Sequence, residues 1–247
     1  MDMDSLTPCK QPIAIRPEHI APSTTTIRVN QHSASLSRGK FTISSIPRTP
    51  AEEPTTLFAV DGNIASWTQR RQFRDASGLP LFEIARKKLG VTWYLHLPEG
   101  TRNSHGSSGS ADEPIATFVP QYSVFKDKFD VHFRNAAPGA RDEEVVLAVR
   151  GQNIWKTRSH VYLRGKLVMV AKLTGTGKVA VYVPGIRPSW EVTVAEGMDL
   201  SLASVISVLL AQVLYQSSGK GKEPARAPAG DDDPGPGSGP AEDKIAT

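Results

Sequence analysis

The chain has 247 residues, a formal charge of +4 from 29 Lys+Arg against 25 Asp+Glu, and one cysteine, Cys9. A lone cysteine excludes an intramolecular disulfide and favours a reducing interior compartment. So small a basic excess excludes the strongly basic type of dedicated nucleic-acid binder.

Residues 1–54 are rich in Ser, Thr and Pro, show no sustained periodicity and carry about +1. Residues 217–247 read SSGKGKEPARAPAGDDDPGPGSGPAEDKIAT and carry about −2. Both read as disordered tails, because such compositions bury too little apolar surface to fold. The core, 55–216, carries about +5 and has the size of one domain. No basic n-region precedes an apolar h-region at the N-terminus, so the expected location is cytoplasmic.

Along the core the pattern is that of short strands. Thr56–Val60 ends at Asp61-Gly62-Asn63. Ala65–Arg74 is a second candidate, closed by Asp75-Ala76-Ser77-Gly78. Leu81–Arg86 alternates apolar and polar, and Val91–Leu97 is rich in β-branched and aromatic residues. A Gly/Ser-rich loop follows over 100–112. Strand signals resume at Ile115–Val119, Ser123–Phe125, Phe129–Phe133, Glu144–Arg150, His160–Leu163, Leu167–Leu173, Val179–Val183 and Trp190–Val194. Spacings of about 8–12 residues predict hairpins of a β-sandwich or barrel, and no βαβ crossover points to a parallel sheet.

The period then changes. From Leu200 to Tyr215 the chain is apolar on nearly every face, which requires burial in protein or lipid. Asp199 suits the N-cap. The run is short for a bilayer, which takes about 20 apolar residues. Ser201, Ser204 and Ser207 form a stripe of small residues whose hydroxyls can bond the i−4 carbonyl. The economical packing is a closed barrel of about twelve antiparallel strands around this helix, with Leu202, Val205, Ile206, Leu209, Leu210 and Val213 as its core face. Closure removes exposed strand edges. A tail-anchored helix is the alternative.

Two segments carry a family resemblance. Phe73-Arg74-Asp75-Ala76-Ser77-Gly78-Leu79-Pro80-Leu81-Phe82-Glu83-Ile84 resembles the second hairpin of the LURP-one-related family, a D-x-x-G turn followed by an apolar strand. Trp190-Glu191-Val192-Thr193-Val194-Ala195-Glu196-Gly197-Met198-Asp199 and the apolar run resemble its closing strand and central helix. The resemblance covers about 55–216. It implies the fold shared with the Tubby C-terminal domain and the phospholipid scramblases: a twelve-stranded barrel around a C-terminal helix, without an established catalytic centre. Relatives in that group bind phosphoinositides or act at phospholipid bilayers. The chain lacks the acidic, calcium-loop-like segment expected of scramblases.

Other chemistry is weakly signalled. Thr174-Gly175-Thr176-Gly177-Lys178-Val179 lacks the first Gly and the trailing Ser/Thr of a phosphate loop and reads as a turn. His19, His32, His96, His105, His132 and His160 show no metal-ligand spacing, so neither metal nor cofactor is expected, and no nucleophile elbow marks an enzyme. The basic residues carry the functional expectation. Arg70, Arg71 and Arg74 lie on one hairpin arm and Arg86, Lys87 and Lys88 at the end of the other. Pairing through the Asp75–Gly78 turn is expected to bring them together as a site for phosphoinositides or acidic phospholipid surfaces. Lys126, Lys128, Lys156, Arg158, Arg164 and Lys166 are further candidates. The alternative is a protein-interaction adaptor acting through its tails, where Thr7-Pro8 and Thr49-Pro50 are possible phosphorylation points. Nucleic acid would use the same charge, but no zinc-finger, helix-turn-helix or RNP pattern supports it.

Overall fold

The computed structural model describes residues 5–32, 40–47, 49, 52–62, 69–87, 91–98, 113–121, 128–140, 143–153, 157–174 and 188–217, with side chains to 212 in the final helix. Twelve strands follow in chain order. They are β1 (Thr25–His32), β2 (Lys40–Ser45), β3 (Thr56–Gly62), β4 (Arg71–Asp75), β5 (Pro80–Arg86) and β6 (Trp93–His96), then β7 (Ala116–Pro120), β8 (Lys128–Arg134), β9 (Glu144–Gly151), β10 (Arg158–Leu163), β11 (Lys166–Thr174) and β12 (Ser189–Val194). The helix α1 (Leu200–Ser217) ends the fold.

Each strand pairs antiparallel with its sequence neighbours, and β1 pairs with β12 to close the barrel. The cause is visible in the alternation. On β8, Phe129, Val131 and Phe133 are buried, while Lys128 and Arg134 are exposed. On β9, Val145, Leu147 and Val149 face the same interior. Side chains of period 2 put one set inside and the other in water.

The lumen is filled by α1. Every residue from Ser201 to Gln212 is buried, Leu202, Val205 and Ile206 completely. A helix buried on all sides inside a closed sheet needs no amphipathic stripe. Leu209 and Leu210 are buried in the same cluster, whereas the side chain of Val213 lies outside the described residues. The serine stripe is internally satisfied: Ser204 Oγ donates to the Leu200 carbonyl and Ser207 Oγ to that of Ala203, both at 2.7 Å. No helix among the described residues is long and apolar enough to cross a membrane. Ile206→Val, which removes one methylene from the centre of this packing, should cost about 1 kcal/mol in a denaturant titration.

The expectation of a disordered arm over 1–54 is corrected. β1 and β2 lie inside it, and β1 is the strand that closes the barrel. Each contributes only two large inward residues, Ile27 with Val29 and Phe41 with Ile43. Between them stand Thr, Ser, Asn and Arg, which read as loop composition although Thr suits a strand. The expected strand over 65–74 begins only at Arg71, and residues 63–68 lie outside the described residues. The candidate strands at 123–125 and 179–183, the loop 100–112 and the tail from 218 onward also lie outside them.

Ahead of β1, residues 5–21 form a strap across the barrel end where α1 begins. Thr7 N donates to Leu167 O, Cys9 N to Glu196 O, Ile13 N to Gly197 O and Ala21 N to Met198 O, at 2.8–3.0 Å. The approach is close at Gly197, where φ is +83° and an added Cβ would stand 3.0 Å from the Cys9 Cβ. Only glycine accommodates both conditions. The half-buried Cys9 thiol is pushed up to about 11 by burial, which leaves it an uncharged packing group.

Candidate functional site: a cationic rim at the helix-exit end

The barrel has two unlike ends. The strap end holds the start of α1. The helix-exit end holds the starts of β2, β4, β8, β10 and β12 and the finishes of β1, β3, β5, β9 and β11.

The six hairpin residues do not form one patch. Arg70 lies just ahead of β4, and Arg86 and Lys87 at the close of β5, so these three share the exit end. Arg70 pairs with the buried Glu83 at 2.9 Å. Arg71 points inward instead. It lies two residues from Phe73 on the same strand, and that residue is a core ring. Arg71 Nε donates to Gln212 Oε1 at 2.6 Å, Gln212 Nε2 donates to Gln69 Oε1 at 2.8 Å, and the guanidinium sits 5.6 Å from the Phe41 ring centroid. Burial brings its pKa down to about 10. It is a plug at the barrel mouth, tying α1 at Gln212 to the wall.

Arg74 stands toward the turn, on the outer face, with Asp61 at 3.7 Å and the Gly78 carbonyl at 3.2 Å. Four residues of extended chain, about 13 Å, separate it from Arg70. Lys88, Lys126 and Lys156 lie outside the described residues. Arg164 and Lys166 belong to the strap end, where Arg164 pairs with Glu143.

The register assembles a different cationic surface. Outward residues near the exit end include Lys128 opposite Arg150, and Arg150 opposite His160. Arg158 faces Lys172, Lys172 faces Glu191, and Glu191 faces Arg28. Neighbouring strands lie about 4.8 Å apart, so these groups form a curved basic band over β8–β12 and β1. Arg28, Lys128 and Lys172 are exposed. Arg150 is partly committed, with Asp130 at 2.7 Å and hydrogen bonds to the Phe129 and Val149 carbonyls. Along the exit end Lys40, Arg70, Arg86 and Lys87 continue the band. Asp61, Glu83, Asp130 and Glu191 are the carboxylates of that end among the described residues, so cations predominate.

At the strap end, acids are more frequent and tied to cations: Glu18 to Arg16, Glu113 to Arg134 and Glu143 to Arg164. The band was missed in the sequence because Arg28 fell in a stretch read as disordered and because its members come from strands far apart in the chain. Period 2 also carried an unused signal: Arg70 and Arg71 are adjacent and cannot both face solvent on one strand. Among the described residues no group of three or more His, Cys, Asp or Glu could hold a metal ion.

No curated protein matches the chain at a significant level. An X-ray structure of a protein from Arabidopsis thaliana is similar to it, with a TM-score of 0.51 and 18% identity over 81% of this chain and 98% of that one, a likeness of fold. The model of the LURP-one-related family matches residues 25–211. That match spans the twelve strands and most of α1, and the chain therefore belongs to the LURP-one-related family.

Proposed function

We propose that this domain binds membrane surfaces rich in acidic phospholipids, phosphoinositides among them, through the cations of the helix-exit end. Family membership and fold support a non-enzymatic domain in general terms. The observation that carries the finer reading is the one-sided band of Arg28, Lys128, Arg158 and Lys172 on the outer wall, continued by Arg86 and Lys87. A flat anionic surface can meet several of these at once, with each Lys or Arg contributing about 1 kcal/mol close to the lipid. Such attraction is screened within about 10 Å at 0.1 M salt.

The test is co-sedimentation of the full chain with phosphatidylcholine vesicles, alone and mixed with phosphatidylserine or phosphatidylinositol bisphosphate. Binding is expected only to the anionic vesicles and should weaken as salt is raised. The combined Arg28→Glu, Lys128→Glu, Arg158→Glu, Lys172→Glu variant should lose it. Unchanged binding by that variant, or none by the parent, refutes the reading. Equal affinity for duplex DNA would move the band to nucleic acid.

A further inference from the structure

A second surface lies at the opposite end of the barrel. A cleft of about 550 Å³ opens between the strap, the start of β3 and the β4–β5 turn. Ligand sites commonly fall in the range of about 300–1,000 Å³. Its floor is apolar, formed by Ile20, Leu57, Phe58 and Leu200. Its polar residues are Glu18 and Asp75, with carboxylates, Thr55, Thr56 and Ser77, with hydroxyls, and His19. His19 stands edge-on to Phe58 at 5.0 Å, and its Nδ1 is buried without a hydrogen-bond partner in the structure.

The charge of the cleft is set by local structure. Asp75 Oδ1 accepts from Ser77 N, Ser77 Oγ and Leu79 N at 2.7–2.9 Å, the geometry that shapes the turn. The Ser77 hydroxyl, followed by the turn N–H groups, holds its carboxyl below the usual range. Among the described residues no Lys or Arg side chain lines the cleft. Arg16 is engaged with Glu18 and the Leu81 carbonyl, and Arg74 with Asp61, Gln72 and the Gly78 carbonyl. Beside the cleft, on the same turn, Leu79 is 60% exposed.

We infer that this cleft is a docking site for a basic segment of a partner protein, one that places an apolar side chain on the floor and a Lys or Arg against Glu18 and Asp75. Charge complementarity selects this occupant. An acidic lipid surface would be repelled by the same two carboxylates, and an acidic peptide likewise. The two ends then serve opposite partners, and the docking surface stands or falls independently of lipid binding.

The experiment is a titration of the isotope-labelled full chain, followed by amide chemical shifts, with acetyl-Arg-Leu-Arg-amide and with acetyl-Glu-Leu-Glu-amide. The basic peptide should move the amides of residues 18–20, 55–58 and 75–79, and the acidic one should not. Glu18→Gln with Asp75→Asn keeps the acceptor that shapes the turn and should weaken the basic peptide about tenfold. Should the pair disturb the turn, Glu18→Gln alone, on an exposed side chain, should weaken it about threefold. Shifts confined to other amides, equal response to the acidic peptide, or unchanged affinity in the variants would overturn the inference.

Discussion

A fragment beginning at Thr55 should fail to fold. It keeps ten strands and α1 but lacks β1 and β2, and β1 is the only strand that joins β12 to β2. Without them β3 and β12 become free edges, and the lumen opens on the side where Ile27, Val29, Phe41 and Ile43 stood, all buried in the intact chain. Burying four such side chains contributes about 1.5–3 kcal/mol each. The sum is comparable to a whole domain's stability of about 5–15 kcal/mol. Lost ladder bonds and exposed edges add to it and favour aggregation. Circular dichroism and thermal melting check this: the fragment should show no cooperative transition, and the full chain should. A fragment beginning at Thr25 is the informative control. It contains all twelve strands but not the strap, and should melt cooperatively at a lower temperature.

Asp199→Ala should destabilise the chain by about 3–5 kcal/mol. Asp199 is fully buried and caps α1. Its Oδ1 accepts from Ser201 N at 2.6 Å, Ser201 Oγ at 2.7 Å and Leu202 N at 3.3 Å. Its Oδ2 accepts from Ile15 N at 3.0 Å and Arg16 N at 2.9 Å, both on the strap. Ala removes the cap and leaves several buried N–H groups without acceptors, each costing about 1–3 kcal/mol unless the strap lifts to let water in. Denaturant unfolding of parent and variant measures the difference. Burial raises the Asp199 carboxyl above its usual range, against the opposing hydrogen bonds from Ser201, Arg16 and Ile15. With the folded value above the unfolded one, the folded state holds its proton more tightly. The contribution is therefore largest below the unfolded pKa and declines as pH rises through the raised one. The gap between parent and variant should narrow over that interval.

The fold was largely legible where the chain spells its period clearly. Phe129, Val131 and Phe133 alternate with charged residues, and the run from Leu200 has no polar face. β1 and β2 were hidden because two apolar residues apiece, spaced by Thr, Ser and Asn, do not stand out from a loop. Asp199 was legible as a cap, being the last acid before the apolar run. Its second role was not, since Ile15 and Arg16 lie about 184 positions away and bond through main-chain N–H groups that no side chain advertises. Asn135 is similar: Oδ1 accepts from Ala14 N and Nδ2 donates to the Pro12 carbonyl, both at 2.9 Å. The candidate site divided along the same line. Composition revealed that the core is basic, but only strand register decides which cations share a wall, and it sent Arg71 inside while bringing Arg28 and Lys172 to either side of Glu191.

The strap and the helix lead the chain out of the barrel at opposite poles, since Thr7 is pinned beside Leu167 while Gln212 reaches Arg71. Reporter placement is therefore not neutral. A fluorescent protein or affinity tag joined ahead of residue 5 emerges at the strap end, near the start of β11. One joined after residue 217 emerges within the cationic rim, where it stands between the domain and any flat surface. On the proposed reading of the rim as a lipid-binding surface, a carboxyl-terminal fusion should blunt membrane recruitment and an amino-terminal one should spare it.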